Sequence, residues 1–378
     1  MSSTGRVNIE PLRDLLDRDL DYACANLKGE FTAMAGRRVL MTGGAGFLGY
    51  YMVQSVLHWN DRAPADARIA LTVFDNYVRG VPAWLEALDG REDLTLTRFD
   101  IRHPLPDPMP EFDYIIHAAG IASPTYYRAH PLETMDANID GLRRLLEYAR
   151  SRRDQGHNFS GFIFYSSSEI YGDPAPDMIP TAEDYRGNVS CTGPRACYDE
   201  SKRYGETLCV VFAKHYGVPV RMVRPFNNYG PGLKISDRRV IPDFVRDVMA
   251  GRDIVMLSDG KPMRTFCYVA DAVVGYYKAL VRGKDGEPYN VGIDRPEISM
   301  NDLAGRVVST ARELFDYSGR VVSGASNESD YLVDNPNRRC PDMTKSNAEL
   351  GYHPTILVDD GLRRSLTWYH YHREAVDA

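Results

Sequence analysis

The sequence lacks the features that mark several classes of protein. Its six cysteines include no Cys-x-x-Cys pair, and its nine histidines show no ligand spacing such as His-x-x-x-His. No apolar run approaches the roughly 18–20 residues that span a membrane. The net charge of −7 is opposite in sign to that of most nucleic-acid-binding domains. We therefore expect no metal site, no membrane span and no nucleic-acid partner, and we expect reduced thiols in a cytoplasmic protein.

A glycine-rich turn follows the first predicted strand. Residues 37–41 have the pattern of a short buried strand, and residues 42–49 read TGGAGFLG. Apolar residues then recur at helical spacing from Phe47 onwards. Glycines allow a tight turn and a close backbone approach, and the start of a helix favours the pyrophosphate of a dinucleotide. The order of strand, glycine turn and helix therefore predicts a dinucleotide site.

An acidic residue closes the second predicted strand. Residues 69–74 form that strand and Asp75 follows it directly. A carboxylate at this point is the expected partner of the adenosine ribose hydroxyls, and it repels a 2′-phosphate. We therefore predict NAD as the cofactor. Arg79, four residues further on, could tolerate a phosphate and leaves NADP as an alternative.

Predicted strands and helices alternate through the first 230 residues. Strands at 94–99, 114–117, 161–165 and 218–223 separate helices near 131–152 and 198–215. Such alternation builds a doubly wound parallel sheet with crossover helices on both faces, so the predicted fold class is α/β of the Rossmann type. Beyond Asn227 the pattern loosens. We expect an N-terminal extension (1–35) with a short amphipathic helix, a NAD-binding Rossmann domain (36–225) and a smaller C-terminal substrate-binding domain (226–378), partly interleaved with the second.

Tyr198 and Lys202 are spaced for one face of a helix, one turn apart. A free tyrosine has a pKa of about 10, which is too high for a base at neutral pH. A nearby cation favours the phenolate form. Such a phenolate can take the proton of a sugar hydroxyl while a hydride leaves the same carbon for NAD. The pair therefore predicts an oxidoreductase-type active site.

Several further motifs stand in order along the chain. His117 begins the segment HAAG, and later segments read SSSEIYG at 166–172, RPFNNYGP at 224–231 and RTFCYVAD at 264–271. Together with the glycine turn and Tyr198 with Lys202, they resemble the extended short-chain dehydrogenase/reductase family that acts on nucleotide sugars. The resemblance extends from Arg37 to Tyr369. It implies a NAD-dependent enzyme with a nucleotide-sugar substrate.

Within that family, the sequence most resembles the UDP-glucuronate decarboxylases, which form UDP-xylose. The segments that carry this likeness are residues 122–131, 183–185, 193–203 and 338–342. The likeness implies oxidation of the sugar at C4, loss of CO2 from the resulting β-keto acid, and return of the hydride. The implied product is UDP-xylose or its 4-keto precursor.

Two positions separate this reaction from those of related enzymes. The 4,6-dehydratases of the family carry an Asp-Glu pair, whose Asp protonates the departing hydroxyl, and Ser168 cannot do so. Simple 4-epimerases usually carry a small or hydroxyl residue where this chain has Glu169. Asp136, however, stands where decarboxylases often carry a lysine. A nucleotide-sugar 4,6-dehydratase or 4-epimerase therefore stays open, as does a non-catalytic sensor of NAD or nucleotide sugars.

The resemblance also implies the roles of individual residues. Tyr198 would accept the C4 hydroxyl proton, Ser167 would hydrogen-bond the same oxygen, and Glu169 would manage the proton at C5. The predicted catalytic residues are Ser167, Ser168, Glu169, Tyr198 and Lys202. The predicted substrate-binding residues are Tyr127, Asn227, Arg239 and Arg264. The predicted NAD-binding residues are Gly43, Gly46, Phe47, Leu48, Gly49, Asp75, Asn76, Asp100, Ile101, Ala118, Ala119, Gly120, Ser166, Tyr198 and Lys202.

The resemblance finally implies a homodimer. In this family the helix near 131–152 and the helix of Tyr198 and Lys202 pair with their copies in a four-helix interface. On the second of these helices, the predicted apolar stripe consists of Tyr204, Leu208, Val211 and Phe212.

Overall fold

The computed structural model of the protein describes residues 9–324, 333 and 335–372. Its strands follow the predicted positions through the first 225 residues to within two residues at each end. In chain order they are β1 (Arg38–Thr42), β2 (Ala70–Asp75), β3 (Leu94–Arg98), β4 (Tyr114–His117), β5 (Gly161–Tyr165), β6 (Val220–Pro225), β7 (Asn228–Tyr229), β8 (Ile254–Met256), β9 (Met263–Arg264), β10 (Cys267–Tyr268), β11 (Pro288–Val291), β12 (Ile298–Ser299), β13 (Val321–Ser323) and β14 (Arg338–Arg339).

The helices alternate with the first six strands and then cluster in the C-terminal part. They are α1 (Leu12–Asn26), α2 (Lys28–Ala33), α3 (Phe47–Asn60), α4 (Ala83–Glu86), α5 (Pro124–Ala129), α6 (Pro131–Asp136), α7 (Leu142–Asp154), α8 (Ala196–Tyr216), α9 (Val240–Met249), α10 (Val269–Arg282), α11 (Met300–Leu314) and α12 (Val358–Tyr371). A π-helical turn at Ala137–Gly141 joins α6 to α7. The predicted helix near 131–152 is therefore two helices with a widened turn between them.

Seven parallel strands form the main sheet, in the order β11-β6-β5-β4-β1-β2-β3. All of the pairings are parallel, and β1 pairs with both β2 and β4. The chain therefore builds the sheet outwards in two directions from β1. In such a sheet, ligands bind beyond the carboxyl ends of the strands where the order reverses, which is here between β1 and β4. The predicted fold class is confirmed.

Burial on both faces explains the composition of the central strands. Val39, Leu40 and Met41 of β1 and Ile115 and Ile116 of β4 are fully buried. A parallel sheet covered by helices on both sides has no solvated face, so its strands are continuously apolar. This core fixes the carboxyl edge of the sheet as a rigid support for the residues that follow each strand.

The C-terminal part of the chain returns to the main sheet. Strand β11 pairs with β6 from Pro288 opposite Met222 to Val291 opposite Pro225. Helix α10 packs against β5 and β6. Three small sheets (β12-β9-β14, β10-β7 and β13-β8) and helices α9, α11 and α12 make up the rest. The predicted boundary at residue 225 stays a prediction, and the chain on its far side contributes to both parts.

The N-terminal extension packs on the body of the protein through buried charges. Helix α1 contacts α3, α10 and α12. The carboxylate of Asp19, fully buried in α1, accepts hydrogen bonds from Tyr51 at 2.6 Å and Tyr268 at 2.5 Å and pairs with Arg364 at 2.5 Å. Glu30 of α2, also buried, pairs with Arg282 of α10. The predicted amphipathic helix is therefore fastened to three distant segments of its own chain.

Helix α8 carries the predicted catalytic pair, Tyr198 and Lys202, and its packing differs from the prediction at Phe212. It runs for 21 residues and ends at Gly217, which adopts a left-handed conformation at φ 65°. Phe212 is only 6% exposed and packs in the core, so its place in an exposed apolar stripe was wrong. Its side chain belongs to the core cluster that contains Phe162 and Phe164 of β5, because α8 packs against β5 and β6. Tyr204 and Val211 are exposed at 49% and 38%.

Candidate active site

Tyr198 and Lys202 lie on the first two turns of α8, directly beyond the carboxyl edge of β5. Both side chains are buried, at 6% and 5% exposure. Lys202 Nζ donates a hydrogen bond to the carbonyl of Tyr165 at 2.7 Å and lies 5.7 Å from the centre of the Tyr198 ring. The helix therefore brings the phenol and the ammonium together, as their spacing predicts.

Burial opposes the charged form of both residues. It raises the pKa of Tyr198 to about 12, although a hydrogen bond with Ser167 and the charge of Arg239 act to lower it. Burial also lowers the pKa of Lys202 to about 7. Without a further positive charge nearby, the Tyr198 phenolate is thus scarce at neutral pH. A cation bound beside the ring would favour that phenolate.

The serines at the end of β5 form a tight turn that faces Tyr198. Ser167 has an extended backbone, and its Oγ accepts a hydrogen bond from the amide of Glu169 at 3.1 Å. Ser168 begins a 3₁₀ turn and is buried at 2% exposure. Because Ser167 is tied both to this turn and to the Tyr198 hydroxyl, its Oγ has a fixed place at the predicted reaction centre.

Glu169 lies among arginine side chains. Its carboxylate accepts from Arg195 and, with both oxygens, from Arg339 at 2.5 and 2.6 Å. Burial acts to raise the pKa of Glu169, but the charges of Arg195 and Arg339 outweigh it and hold the pKa well below its usual range. Glu169 is therefore ionised at neutral pH and is a weak proton acceptor in this arrangement.

The three arginines around Glu169 form what we call the arginine cluster: Arg195, Arg264 and Arg339. Each is at most 7% exposed, and all three act electrostatically on Glu169. Burial and then repulsion by Arg339 lower the pKa of Arg264 to about 9. Arg195 also pairs with the buried Asp199 at 3.8 Å. Three cations therefore face two carboxylates, so the cluster keeps surplus positive charge in a buried place, where an anion is strongly favoured.

Sequence reasoning assigned no role to Arg195 or Arg339. Arg195 precedes α8, and Arg339 lies in β14, which is 144 residues further along the chain (339 − 195). Both stand in segments that carry the resemblance to the decarboxylases, and this was the signal that could have identified them. Their meeting at Glu169 depends on the pairing of β14 with β9, which no local pattern predicts.

The predicted substrate residues Tyr127 and Asn227 occupy different settings. The Tyr127 ring stacks on the Tyr198 ring, with centroids 5.0 Å apart and planes 13° apart. Its hydroxyl is buried and has no hydrogen-bond partner among the described residues, and burial raises its pKa. Asn227, at φ 40°, instead donates to the carbonyl of Thr265 at 2.9 Å. The Tyr127 hydroxyl could therefore donate a hydrogen bond to a substrate beside Tyr198, whereas the Asn227 side chain fixes the backbone at Thr265.

The predicted substrate residues Arg239 and Arg264 both lie near the catalytic residues. Arg239 Nε pairs with Asp237 at 2.9 Å and is close enough to act on the pKa of Tyr198. Arg264 belongs to the arginine cluster and donates to the carbonyls of Met263 and Pro336. The fold therefore brings all predicted catalytic residues and three of the predicted substrate residues to one edge of the sheet.

The glycine turn fits a dinucleotide at the start of α3. Gly43 has φ 76°, and an added Cβ there would lie 2.7 Å from Ala119. A Cβ on Gly49 would lie 2.1 Å from the carbonyl oxygen of Gly44. Helix α3 begins after Gly46 without a side-chain cap, which leaves the first amides, at Phe47 and beyond, free to bind a pyrophosphate.

Two carboxylates flank the place expected for the adenosine. Asp75 ends β2 and accepts from the amides of Ala45 at 3.0 Å and Tyr77 at 2.8 Å, while burial raises its pKa. Asp100 follows β3 and pairs with Arg102 at 2.8 Å, and its Oδ2 also accepts from Asn76. These carboxylates can accept hydrogen bonds from ribose hydroxyls, and their charge repels a 2′-phosphate. The residues at this edge therefore fit NAD.

The other predicted cofactor residues follow the next strands along the same edge. Ile101 follows β3, the segment 118–120 follows β4, and Ser166 follows β5. Sequence reasoning missed Asn138, which is fully buried and donates to Ser201 at 2.9 Å. A Cβ on Gly120 would lie 2.8 Å from Asn138 Oδ1, so this asparagine closes the crevice from the side of the π-helical turn.

The described residues include neither a candidate metal site nor a candidate membrane span. No group of three or more His, Cys, Asp or Glu side chains is placed to hold a metal ion. Within the same ranges, no helix is both long enough and apolar enough to cross a membrane.

Several known proteins are similar to this chain over most of its length. UDP-glucuronic acid decarboxylase 5 of Arabidopsis thaliana is 33% identical over 89% of this chain and 90% of its own, and UDP-glucuronic acid decarboxylase 1 of Xenopus tropicalis is 33% identical over 90% of this chain and 73% of its own. Among solved structures, the dTDP-glucose 4,6-dehydratase DesIV of Streptomyces venezuelae matches with a TM-score of 0.74 and 27% identity, over 89% of this chain and 98% of that one.

A second solved structure shows the likeness in fold alone. UDP-glucuronic acid 4-epimerase of Bacillus cereus matches with a TM-score of 0.70 and 24% identity, over 89% of this chain and 99% of that one. A family model described as the NAD dependent epimerase/dehydratase family matches residues 39–292. The resemblance inferred from the motifs is confirmed, and the chain belongs to the NAD dependent epimerase/dehydratase family.

Proposed function

We propose that the protein is a NAD-dependent UDP-glucuronate decarboxylase that forms UDP-xylose or its 4-keto precursor. The observation that carries the proposal is the turn of Ser167 and Glu169, which faces Tyr198 while Glu169 is held by Arg195 and Arg339. The two relatives named above, each 33% identical over most of this chain, are named for the same activity. A decarboxylase requires both a redox centre and a place for a carboxylate, and these residues supply both.

The cofactor fits the residues at the carboxyl edge of the sheet. Residues Gly43 and Gly49 would hold the pyrophosphate, and Asp75 would hold the adenosine ribose. The chemistry that NAD supplies when bound is acceptance of the C4 hydride and its later return. Its positive charge near Tyr198 would also favour the phenolate that burial disfavours.

Tyr198 is the proposed proton acceptor for the C4 hydroxyl. Ser167 Oγ hydrogen-bonds the same oxygen, and Lys202 favours the phenolate through its charge. With a carbonyl at C4, the C5 carboxylate belongs to a β-keto acid, so CO2 leaves as electrons move towards the C4 oxygen. The protonated Tyr198 and Ser167 then stabilise the negative charge on that oxygen.

The arginine cluster is the proposed place for the sugar carboxylate. Its three buried guanidinium groups face the carboxylate of Glu169 and, at Arg195, also that of Asp199, so their positive charge exceeds the negative charge of these two acids. Asp136, which replaces an expected lysine, is exposed at the end of α6 and acts on Arg102 beside the adenosine edge. Asp136 therefore acts on Arg102 and not on the arginine cluster. The cluster supplies the positive charge that would bind the carboxylate of a uronic acid.

The proposed role of Glu169 shifts from proton transfer at C5 to the orientation of arginine side chains. Because its pKa lies well below the usual range, it holds a proton poorly while both ion pairs are intact. We propose that it orients Arg195 and Arg339 around the sugar, and that it handles the C5 proton only through water or after one pair opens. Ser168, with no carboxyl group, does not support a 4,6-dehydratase.

A panel of nucleotide sugars tests the reaction. The holoprotein is incubated separately with UDP-glucuronate, UDP-glucose, dTDP-glucose and UDP-N-acetylglucosamine, and products are identified by mass spectrometry. We expect CO2 and UDP-xylose or its 4-keto precursor from UDP-glucuronate alone, with no net consumption of NAD. Conversion of a neutral hexose with no action on UDP-glucuronate would move the assignment to an epimerase or dehydratase. Binding without conversion of any sugar would favour a sensor.

The cofactor itself is tested by denaturing the purified protein and analysing the released nucleotide. We expect NAD or NADH, because Asp75 and Asp100 line the adenosine edge. A predominance of the 2′-phosphorylated form would show that this interpretation of Asp75 is wrong.

A homodimer and a cytoplasmic location complete the proposal. Tyr204 and Val211 on α8 and Leu132 and Met135 on α6 are exposed apolar side chains, and α6 and α8 are neighbours. Light scattering of wild type and of Tyr204→Glu tests the dimer, since a charge in an apolar interface should dissociate it. All six cysteines lie in the described residues and are free thiols, which suits a reducing compartment.

A further inference from the structure

Arg79, which sequence analysis left as a possible phosphate ligand, is engaged elsewhere. It follows the turn that begins at Asp75, and its guanidinium pairs with Asp237 at 3.1 Å. The same group lies 4.9 Å above the centre of the Tyr126 ring. The backbone carbonyl of Arg79 accepts from Lys234 Nζ at 2.7 Å. Side chain and backbone are therefore both bound to the segment 234–237 of the C-terminal part.

Asp237 joins two arginines from different parts of the chain. One carboxylate oxygen pairs with Arg79 at 3.1 Å, and the other pairs with Arg239 Nε at 2.9 Å. Its side chain is only 4% exposed. Its backbone carbonyl accepts from Ser123 Oγ at 2.7 Å, and Arg238, the next residue, is held at φ 65°. The carboxylate is thus fixed in place and can bind both arginines at once.

The two arginines belong to different binding regions. Arg79 is continuous with the turn that Asp75 starts, where the adenosine side of the cofactor is expected. Arg239 is close enough to Tyr198 to act on its pKa and is a predicted substrate residue. Asp237 is therefore a chemical link between the cofactor edge and the substrate side of the active site.

We propose that Asp237 is a positioning residue that holds Arg239 towards the diphosphate of the substrate and, through Arg79, couples that arginine to the cofactor turn. The proposal rests on the proposed function, in which a nucleoside diphosphate sugar occupies the crevice. The turn after β2 holds Arg79 on Asp237, and Asp237 presents Arg239, so a cofactor bound against that turn would stabilise the position of Arg239. Coupling between two binding sites is reciprocal, so the substrate nucleotide must also tighten the binding of NAD.

The charges of this region give the physical reason. Arg79 and Arg239 both pair with Asp237, and the Lys234 ammonium lies beside them on the backbone carbonyl of Arg79. Burial, and then repulsion by Arg79, lowers the pKa of Lys234. These cations repel one another, so a bound diphosphate, which offsets the repulsion, would stabilise the arrangement in which Asp237 holds both arginines.

The test measures NAD affinity with and without UDP, which carries the diphosphate and no sugar. Wild-type holoprotein is dialysed to equilibrium against graded NAD, in the absence and presence of saturating UDP. For wild type, we expect UDP to lower the Kd for NAD by about fivefold or more, the lower end of ordinary coupling between sites. The Kd of the holoprotein for UDP and the kcat and KM for UDP-glucuronate are measured alongside.

Three variants and one control separate coupling from simple stability. Arg79→Met should abolish the effect of UDP on NAD affinity and raise KM more than it lowers kcat, whereas Arg79→Lys should restore the effect in part. Asp237→Asn should weaken UDP binding as well as abolish the effect. Arg320→Ala, which removes an arginine paired with Asp253 far from the crevice, should change none of these values.

The remaining outcomes distinguish failure of the link through Asp237, failure of the coupling and failure of the proposed function. If Arg79→Met or, where that variant fails to fold, Asp237→Asn leaves the UDP effect at its wild-type size, the link through Asp237 is wrong. If UDP binds wild type without changing NAD affinity, the coupling is wrong and the proposed function stands. If UDP does not bind wild type at all, the proposed function itself fails in its nucleotide part.

Discussion

The cofactor edge and the arginine cluster are built in opposite ways. At the cofactor edge, short segments directly follow consecutive strands, and much of the binding surface is backbone shaped by Gly43 and Gly49. In the arginine cluster, Arg195, Arg264 and Arg339 come from a loop and two small strands that lie far apart in the chain. They meet at one carboxylate, Glu169, and bind through side-chain charge.

The contrast explains what each region contributes. Backbone amides at a helix start recognise any pyrophosphate, and this suits a cofactor that many enzymes share. Buried side chains set the charge that one sugar meets, so they determine which substrate reacts. Single substitutions can weaken one region and spare the other, or remove the reaction centre between them.

Tyr198→Phe removes only the hydroxyl at the reaction centre. Loss of a well-placed acid–base group typically costs on the order of a hundred- to ten-thousand-fold in rate, so we expect turnover to fall by that amount. Bound NAD should be retained, because the ring stays stacked on Tyr127. Tyr216→Phe, at the exposed end of the same helix, is the control. Activity within a few-fold of wild type would show that another residue is the base.

Arg339→Met breaks the arginine cluster and leaves the cofactor edge untouched. Truncating one partner of a buried, hydrogen-bonded charge pair at a binding surface typically costs about 2–5 kcal/mol of binding free energy, so we expect kcat/KM for UDP-glucuronate to fall by about a hundredfold. Affinity for UDP, which has no sugar carboxylate, should change far less. The neighbouring Arg338→Met is the control, because Arg338 is half-exposed and pairs with Glu297. Equal losses for UDP and UDP-glucuronate would contradict a carboxylate site in the cluster.

Gly49→Ala perturbs the cofactor edge and leaves the arginine cluster untouched. The added Cβ would lie 2.1 Å from the carbonyl oxygen of Gly44, so the turn must shift. Overpacking of this kind costs about 1–3 kcal/mol, and we expect the Kd for NAD, measured by equilibrium dialysis, to rise by about tenfold. At Gly305 on α11, a Cβ meets nothing within 4 Å, so Gly305→Ala should leave NAD affinity unchanged. Full NAD affinity in Gly49→Ala would show that the turn tolerates side chains.

Ser167→Ala should move a pH profile. The hydrogen bond from Ser167 lowers the pKa of Tyr198, so its removal raises that pKa. Because the phenolate is the active form, the acidic limb of kcat/KM against pH should move to higher pH. One hydrogen bond contributes about 0.5–1.5 kcal/mol, which corresponds to a movement of about one pH unit or less. Ser168→Ala is the comparison and should leave the limb in place. A limb that moves to lower pH would contradict the assigned role of Ser167.

The cofactor edge could be predicted from sequence because each of its parts is local. The run TGGAGFLG, the acid after β2 and the residues after β3 and β4 each follow a strand directly. Parallel strands bring their carboxyl ends to one edge, so knowing the strands suffices to bring these segments together. The same reasoning placed Tyr198 and Lys202 on one helical face, where the structure has them.

Three features had no local signal. Phe212 carries the same helical spacing as an interface residue, and only the packing of α8 on the core shows that it points inwards. The ion pair between Asp19 and Arg364 joins residues near the two ends of the chain. Arg79 seemed suited to a phosphate, yet it pairs with Asp237, which is 158 residues away (237 − 79).

The sequence by itself determined the Rossmann sheet, the dinucleotide turn and the catalytic pair, since these depend on periodicity and on residues a few positions apart. Only the tertiary structure decided that Arg195, Arg264 and Arg339 meet at Glu169 and that Arg79 and Arg239 share Asp237. The physical reason is that a buried charge requires a partner, and the partner can come from any part of the chain that the fold brings within a few ångströms.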